Sequence, residues 1–536
     1  MGSERDTLIR SRPGPRRGPL PPYILFDVLV LLGISLVAEG IAFSAPQGRA
    51  VINGDSAQYV AVAEALVRSD QSAHFELRKP GYPLFLAAVK LAFGHLGWAA
   101  IVCNHGLLVL LPLAAYGFGL HLHSRVLGWV AAGLTIVQLQ SAVLGNRIMS
   151  EVLYTVLLSF GLLTFAVGLR RTGAGWWLAG SGLLLAFAWL TRGAATAVIP
   201  VAGVAVAVVY RCDRRKLAAL SGAFVFPIVC VILFECLLNC VCAGRFRISS
   251  GAAGATMWAY RGRYFQGTAM PPTADADRIL ALLPERTVDE AFLCNSMDQW
   301  VARYRAVHDA GWEEWEFDRA CRRMAVATIR SDPVSFLGCS ARLALHHLLR
   351  RGEAFSLSRV PQSKRRAAIA HPAIRSPSEV QTHWYAYWGL PHLPLEGSMQ
   401  LVDRLQAEAS VRAPFGGSKV WTAFRYWKTK PPMDSLMDAS RRLGDLWPGF
   451  ALLLCGVLGL NRTTCCVLAA AYVLEALLIG FVTVTTERFQ FVWLATDTTL
   501  AAALPVGVLA WVAQHGRTRW STRRVGARHT CGVNIS

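Results

Sequence analysis

The sequence predicts an all-α polytopic membrane protein, and three observations carry that prediction. Hydrophobic residues make up 54% of the chain and charged residues only 16%, with a mean hydropathy of +0.37, too apolar for an ordinary soluble protein. Apolar runs close to the length of a membrane-crossing helix recur along the chain. Clusters of arginine and lysine separate those runs at alternate ends. The formal net charge of +20 therefore reads as the basic flanks of membrane spans. No nucleic-acid-binding motif accompanies it, and nucleic acid is excluded as a partner. The 13 cysteines show neither a CxxC pair nor metal-ligand spacing, and small apolar filler is their reading.

Taken in order, residues 1–22 carry Arg5, Arg10, Arg12, Arg16 and Arg17 among prolines and glycines, a pattern that resists helix and predicts a disordered basic cytoplasmic tail. Tyr23 to Phe43 is longer than a signal-peptide core and predicts a signal anchor, so the chain emerges outside near Ser44. Tyr82 to Phe93 is interrupted by Lys90 and ends in Gly94-His95-Leu96-Gly97; it is short for a span and suits an interfacial or re-entrant helix in the first external loop, residues 44–97. Spans are then predicted at Trp98 to Leu120, Val126 to Val143, Val152 to Leu169, Gly175 to Leu190, Gly193 to Val209 and Leu217 to Val241. They complete an N-terminal transmembrane module over 23–242.

Parity supports the non-spanning assignment. With Tyr82 to Phe93 outside the count, His121 to Arg125, Arg170-Arg171 and Arg211 to Lys216 all fall on the cytoplasmic side. Spans near Trp447 to Leu460, Thr463 to Thr485 and Phe489 to Val512, within 447–513, put Arg462 and the basic tail 514–536 inside too. The expectation is about ten transmembrane helices in the plasma membrane, both termini cytoplasmic. The sequons at Asn461 and Asn534 fall on the cytoplasmic side and say nothing for a secretory-pathway home.

Residues 243–446 form the long external segment, expected to be a small, mainly helical domain. Helices are predicted over Glu313 to Arg330 and from Pro333 to Arg351, with Asp332-Pro333 as a helix start. The stretch from Ser356 to Pro377 reads as a loop. No internal repeat is visible.

The first external loop breaks the charge rule: Arg49, Arg68, Arg78, Lys79 and Lys90 lie outside, which points to an anionic ligand. On the same side stand Asp55, Ser150-Glu151, Arg192 and Glu487-Arg488. Within spans, Asn104, His105, Glu235, Asn239 and Asp497 fall in the outer half, with Glu475 nearer the middle. A cavity opening outward fits this distribution better than a transport path, which needs polar groups through the full depth. Plainer readings stand beside the chemical ones. Asp55 with Gln58 fits a helix capping box. Ser150-Glu151 fits an N-cap with a first-turn acid. Lys79 and Arg192 fit interfacial anchors. Arg488 can pair with Glu487, and Asn104-His105 suit an interhelical hydrogen bond. His346-His347 are adjacent on a helix and make a poor metal pair.

Five motifs in sequence order, Asp55-Ser-x-x-Tyr59, Lys79-Pro-Gly-Tyr82-Pro-Leu, Asn146-Arg-x-Met-Ser150-Glu151, Thr191-Arg192-Gly193 and Glu487-Arg488-Phe489, resemble the GT-C superfamily of glycosyltransferases. The chain looks most like the dolichyl-phosphate-mannose protein mannosyltransferases and the bacterial lipid A aminoarabinose transferases. The resemblance covers residues 23–210 well and the last hundred weakly. It implies transfer of a hexosyl or pentosyl group from a polyprenyl-phosphate carrier to a lipid, glycan or protein acceptor at the outer face, with inversion. It assigns Asp55 as general base on the acceptor and Lys79 as the cation that offsets charge on the departing phosphate. Glu151 is a second catalytic candidate; Tyr59, Tyr82, Arg192 and Arg488 are candidates for substrate binding. Where many relatives place two adjacent carboxylates, Asp55 is followed by Ser56, leaving the second acidic role to Glu64, Glu151 or no residue. No metal ligand is assigned, and a divalent metal is left open.

A carrier or flippase for an amphipathic lipid or lipid-linked sugar is the alternative, to be told apart by polar residues lining the inner half of the bundle. A scaffold whose external domain binds a partner is a further one, in which Asp55→Ala is silent.

Overall fold

A computed structural model describes residues 22–43, 54–68, 78–137, 144–171, 173–249, 273–282 and 309–348, together with isolated positions such as Gly254, Val307, Arg404 and Leu405. Arg488, Glu487, Glu475, Asp497 and all but a few positions of the predicted C-terminal spans lie outside the described residues. Regular structure among the described residues is helical: α1 (Pro22–Phe43), α2 (Gly54–Val67), α3 (Gly81–Phe93), α4 (Gly97–Leu108), α5 (Leu111–Leu122), α6 (Arg125–Val137), α7 (Glu151–Gly168), α8 (Ala174–Thr191), α9 (Val198–Tyr210), α10 (Arg214–Ala243), α11 (Ala274–Leu280), α12 (Glu314–Ser331) and α13 (Pro333–Leu348). Among them are six helices or helix pairs long and apolar enough to cross a membrane: α1, α4 with α5, α7, α8, α9 with its preceding 3-10 turn, and α10. The chain is an all-α polytopic membrane protein.

Local chemistry explains most boundaries. The predicted span from Trp98 is broken into α4 and α5 at Val109 and Leu110, because Pro112 has no N–H to return to the carbonyl four residues earlier. Helix α6 (Arg125–Val137) covers the first part of the predicted span Val126 to Val143, and residues 138–143 lie outside the described residues. Helix α3 stops at Gly94, whose φ of 77° closes the last turn onto the Lys90 carbonyl. Its 13 residues reach about 20 Å, too little for a bilayer core. Asp213 caps α10 through Lys216 N at 3.1 Å, and Asp332 caps α13 through Ser335 N at 3.1 Å. Glu313 and Glu316 make a reciprocal capping box on α12.

Helix α8 is the central post, packed along both α7 and α10. Phe118, Leu127, Tyr154, Phe165, Leu185 and Phe224 lie in the apolar core that these helices share with α5, α6 and α9. A second core joins α2, α3 and α4 through Val60, Tyr82, Leu86 and Ile101. Helices α1 and α10 instead leave many apolar side chains exposed, Leu29 and Val37 on α1 and Phe226 and Leu237 on α10 among them. That is the surface expected of a helix with lipid as its solvent.

Two polar ties fasten α1. Near its start the buried Asp27 accepts both Arg125 Nε at 2.7 Å and Arg125 Nη2 at 2.6 Å, and also the Tyr116 hydroxyl. Near its end Glu39 Oε2 lies 2.7 Å from His105 Nδ1.

Candidate functional site

The segment before α3 is seated by Gly81. A Cβ there would lie 2.7 Å from Thr191 N and 2.8 Å from Leu190 C, so only glycine lets the α3 start rest on the end of α8 without a shift. This seat places the Lys79 motif beside the Thr191-Arg192-Gly193 motif. Arg192 is extended, with φ −153° and ψ 129°, and ends α8 by leaving the helical path.

Arg192 Nη1 lies 2.9 Å from Glu151 Oε1. The carboxylate is 1% exposed and the guanidinium 28%, so the pair joins a buried acid to a partly open cation. Ser150, before Glu151, makes no side-chain cap on α7; its Oγ is 3.2 Å from the Tyr59 hydroxyl on α2. The N-cap reading of Ser150 gives way to this long-range bond.

Tyr59 stacks its edge on Tyr82 at a centroid separation of 4.9 Å, and the Arg78 guanidinium lies 5.4 Å from the Tyr59 ring centre. Tyr82 is fully buried, and that burial raises its phenol above the usual range. Arg78 Nε also donates to Gln58 Oε1 at 2.7 Å. Gln58 is therefore engaged by the α3 approach, and because α2 begins at Gly54, Asp55 stands in its first turn and not at the N-cap of a capping box. Asp55 is one helical turn before Tyr59.

Lys79 is 8% exposed. Its Nζ donates to Glu235 Oε1 at 3.1 Å and Oε2 at 3.3 Å, and lies 3.9 Å from the centre of the Trp189 ring. Burial draws the ammonium below its usual pKa, and the charge of Glu235 opposes that. Glu235 also accepts from Ser249 N at 3.0 Å and from the Ser249 hydroxyl. The first loop, α10 and the segment after α10 thus meet at one carboxylate.

Farther along α2, Glu64 accepts from Lys90 at 2.7 Å and from Arg404 at 2.8 Å. Burial pushes its carboxyl up, but the two cations outweigh burial and hold it below the usual value. Asn104 and His105 do make interhelical bonds: Asn104 Nδ2 donates to the Arg147 carbonyl at 2.8 Å, and His105 Nε2 is 3.2 Å from Asn146 Oδ1.

The structure therefore brings together Tyr59, Lys79, Tyr82, Glu151 and Arg192, with Asp55 on the same helix as Tyr59. Sequence reading left out Glu39, Asp27, Trp189 and Ser249. An acid inside an apolar run was the available signal for Glu39 and Asp27; the other two carry none. Among the described residues, no three His, Cys, Asp or Glu side chains group closely enough to hold a metal ion.

No protein-family model matches the chain, and no curated protein does. Solved structures do. The chain is similar to the crystal structure of the Archaeoglobus fulgidus oligosaccharyltransferase in the apo form, at 13% identity over 77% of this chain and 59% of that one, with a TM-score of 0.33. It is similar to the archaeal oligosaccharyltransferase AglB from Archaeoglobus fulgidus in complex with an inhibitory peptide and a dolichol-phosphate, at 11% identity over 95% of this chain and 53% of that one, TM-score 0.41. ArnT from Cupriavidus metallidurans bound to undecaprenyl phosphate is a third, at 16% identity over 72% and 76% of the two chains, TM-score 0.32. The matches span 59% and 53% of the two archaeal chains.

Proposed function

We propose that this protein is a membrane glycosyltransferase that moves a sugar from a polyprenyl-phosphate carrier to an acceptor on the outer face of the membrane, with inversion. The observation that carries the reading is the meeting of four sequence-distant motifs at the ends of α2, α3, α7 and α8, in the Tyr59–Ser150 and Glu151–Arg192 contacts and the Gly81 seat. They form one buried polar cluster beside apolar helices, opened by the partly exposed Arg78 and Arg192. Such a cluster suits a ligand with a charged head and a lipid tail.

The chemistry follows from the leaving group. As the acceptor nucleophile bonds to the anomeric carbon, the carbon–oxygen bond to the phosphate breaks and the phosphate keeps the electron pair. A phosphate leaves as a stable anion, so cations serve it better than an acid does. Arg192 and Arg78 are the partly exposed cations of this cluster; the buried Lys79 adds a third positive centre, balanced by Glu235. Asp55 takes the acceptor's proton as general base, and Glu151 orients Arg192. A single displacement on the face opposite the phosphate inverts the anomeric centre. Arg488 is proposed as a further cation of the site. The orientation that puts the site outside, with both termini cytoplasmic, is part of the proposal and rests on the distribution of basic loops.

The test is turnover by purified protein of a panel of radiolabelled polyprenyl-phosphate sugars, wild type against Asp55→Asn. The reading expects one donor to be consumed by the wild type, and bound but left intact by the variant. A protein that neither binds nor consumes any of them is not this transferase.

A further inference from the structure

Helix α4 carries a polar pair, Asn104 and His105, that the proposed reaction does not use. Their contacts run in two directions. Toward α1, His105 Nδ1 meets Glu39 Oε2 at 2.7 Å. Toward the turn before α7, His105 Nε2 meets Asn146 Oδ1 at 3.2 Å, and Asn104 Nδ2 donates to the Arg147 carbonyl at 2.8 Å. The turn is moulded on the imidazole itself: a Cβ at Gly145 would lie 2.8 Å from His105 Cε1. Four residues after Arg147 comes Glu151, and three after it Ser150, the two residues that meet Arg192 and Tyr59.

We propose that Glu39 and His105 are positioning residues for the transferase site, holding the Gly145–Glu151 turn in register so that Glu151 meets Arg192; this rests on the transferase reading above. The physical argument is one of cost. His105 is 5% exposed and Asn146 6%, and a polar group buried in an apolar bundle loses the hydration it had unless a partner replaces it. Where Asn146 presents Oδ1, Nε2 donates to it; where Asn146 is turned to present its amide N–H, Nε2 accepts. Either way Glu39 fixes Nδ1 as the donor to α1 and leaves Nε2 committed to the turn, the logic by which a carboxylate orients a histidine elsewhere. Phe43, edge-on to the ring at 5.7 Å, closes the side toward the end of α1. The elements packed around α4 carry Asp27 and Glu39 on α1, Lys90 on α3, Glu151 on α7 and Arg147 in the turn, and of these Glu39 is the one in ion-pair contact with the ring. The first span, which has no part in the chemistry, would thereby set the geometry of a carboxylate on α7.

The experiment uses the full chain in lipid nanodiscs and two readouts: amide hydrogen exchange over residues 144–150, with residues 178–188 of α8 as control, and steady-state turnover of the donor identified for the wild type. Glu39→Leu and His105→Leu should each speed exchange in the turn at least about tenfold and leave the control unchanged. They should lower kcat by about 10–100-fold, the cost of a small misplacement of a reacting group, with donor KM held within about twofold. His105→Gln, which keeps an amide N–H directed at Asn146, should recover most of both. Exchange in the turn that is unaltered by either leucine variant overturns the proposal, as does a His105→Gln no better than His105→Leu. Should the leucine variants fail to fold, Glu39→Ala carries the same comparison, and normal exchange with normal kcat in it is again the refuting result. If the wild type consumes no donor, the transferase reading falls, and the exchange result alone decides whether the pair holds the turn.

Discussion

Lys79 Nζ lies 3.1 Å from Glu235 Oε1 across 156 positions of sequence, with the carboxylate fully buried and the ammonium nearly so. Two ions taken out of water repay their desolvation only when the geometry and the remaining hydrogen bonds are good. Here Ser249 supplies further donors to Glu235, and the Trp189 ring supplies a negative face to the ammonium.

Removing one partner leaves the other charge buried and unpaired. Glu235→Leu and Lys79→Met should each cost about 3 kcal/mol or more, whereas the double variant should cost clearly less than the sum. Thermal unfolding of the four proteins in one detergent measures the cycle. Additive losses would mean that the two side chains do not act on each other.

Arg192 is the cation of the cluster with both a carboxylate partner and an open side. In the proposed reaction Arg192→Ala should weaken binding of a polyprenyl phosphate at least tenfold, and Arg192→Lys should recover only part, since a point charge cannot hold Glu151 and a phosphate in the same planar fork. Glu151→Gln should keep carrier binding and lower turnover. Titration of the carrier into each variant separates these outcomes, and equal binding by Arg192→Ala and wild type would remove Arg192 from the phosphate site.

Glu64 brings a pH dependence whose sign can be worked out. Its folded carboxyl lies below the usual value because Lys90 and Arg404 favour the ionised form. Such a group contributes stability that is fully present above the unfolded pKa of about 4.3 and is lost as pH falls through the lower folded value. Glu64→Gln should therefore destabilise the protein at pH 7 and bring its melting temperature closer to that of the wild type as the medium is acidified toward pH 3. A wild-type-minus-variant difference that is flat from pH 7 to pH 3 would show that the two cations do not stabilise the charge.

What the sequence disclosed and what it hid divide along a physical line. The start of α12 at Glu313 and the Asp332 cap of α13 depend on residues a few positions apart, and each is found where local spacing puts it. Pro112 is the local signal for the break between α4 and α5, set in an otherwise unbroken apolar run. The pairing of Lys79 with Glu235, of Glu39 with His105 and of Glu151 with Arg192 depends on which helix faces meet. No local pattern encodes that. Lys79, Glu235, Glu151, Arg192 and His105 each stood out in the sequence, but which of them meets which did not. Ser150 shows the same limit: the N-cap position was legible, and its bond to Tyr59 was not.

Gly81 offers the sharpest test of how the site is assembled, because its neighbour is backbone and cannot swing aside. A methyl group at this position would sit 2.7 Å from Thr191 N and 2.8 Å from the Leu190 carbonyl, so either α3 or the end of α8 must move by several tenths of an ångström. In a packed core such a displacement costs about 1–3 kcal/mol. The helix itself gains from alanine, whose propensity exceeds that of glycine by roughly 1 kcal/mol, so the net loss of stability should be small. Function should suffer more than stability does. The shift separates the segment carrying Lys79 and Arg78 from the one carrying Arg192, and since a misplacement of about 1 Å lowers turnover by about 100-fold, one of several tenths should lower it by about tenfold or more. Gly81→Ala should thus melt within a few degrees of the wild type and be severely impaired in transfer. Equal turnover by the two proteins would show that the contact between α3 and α8 does not set the site.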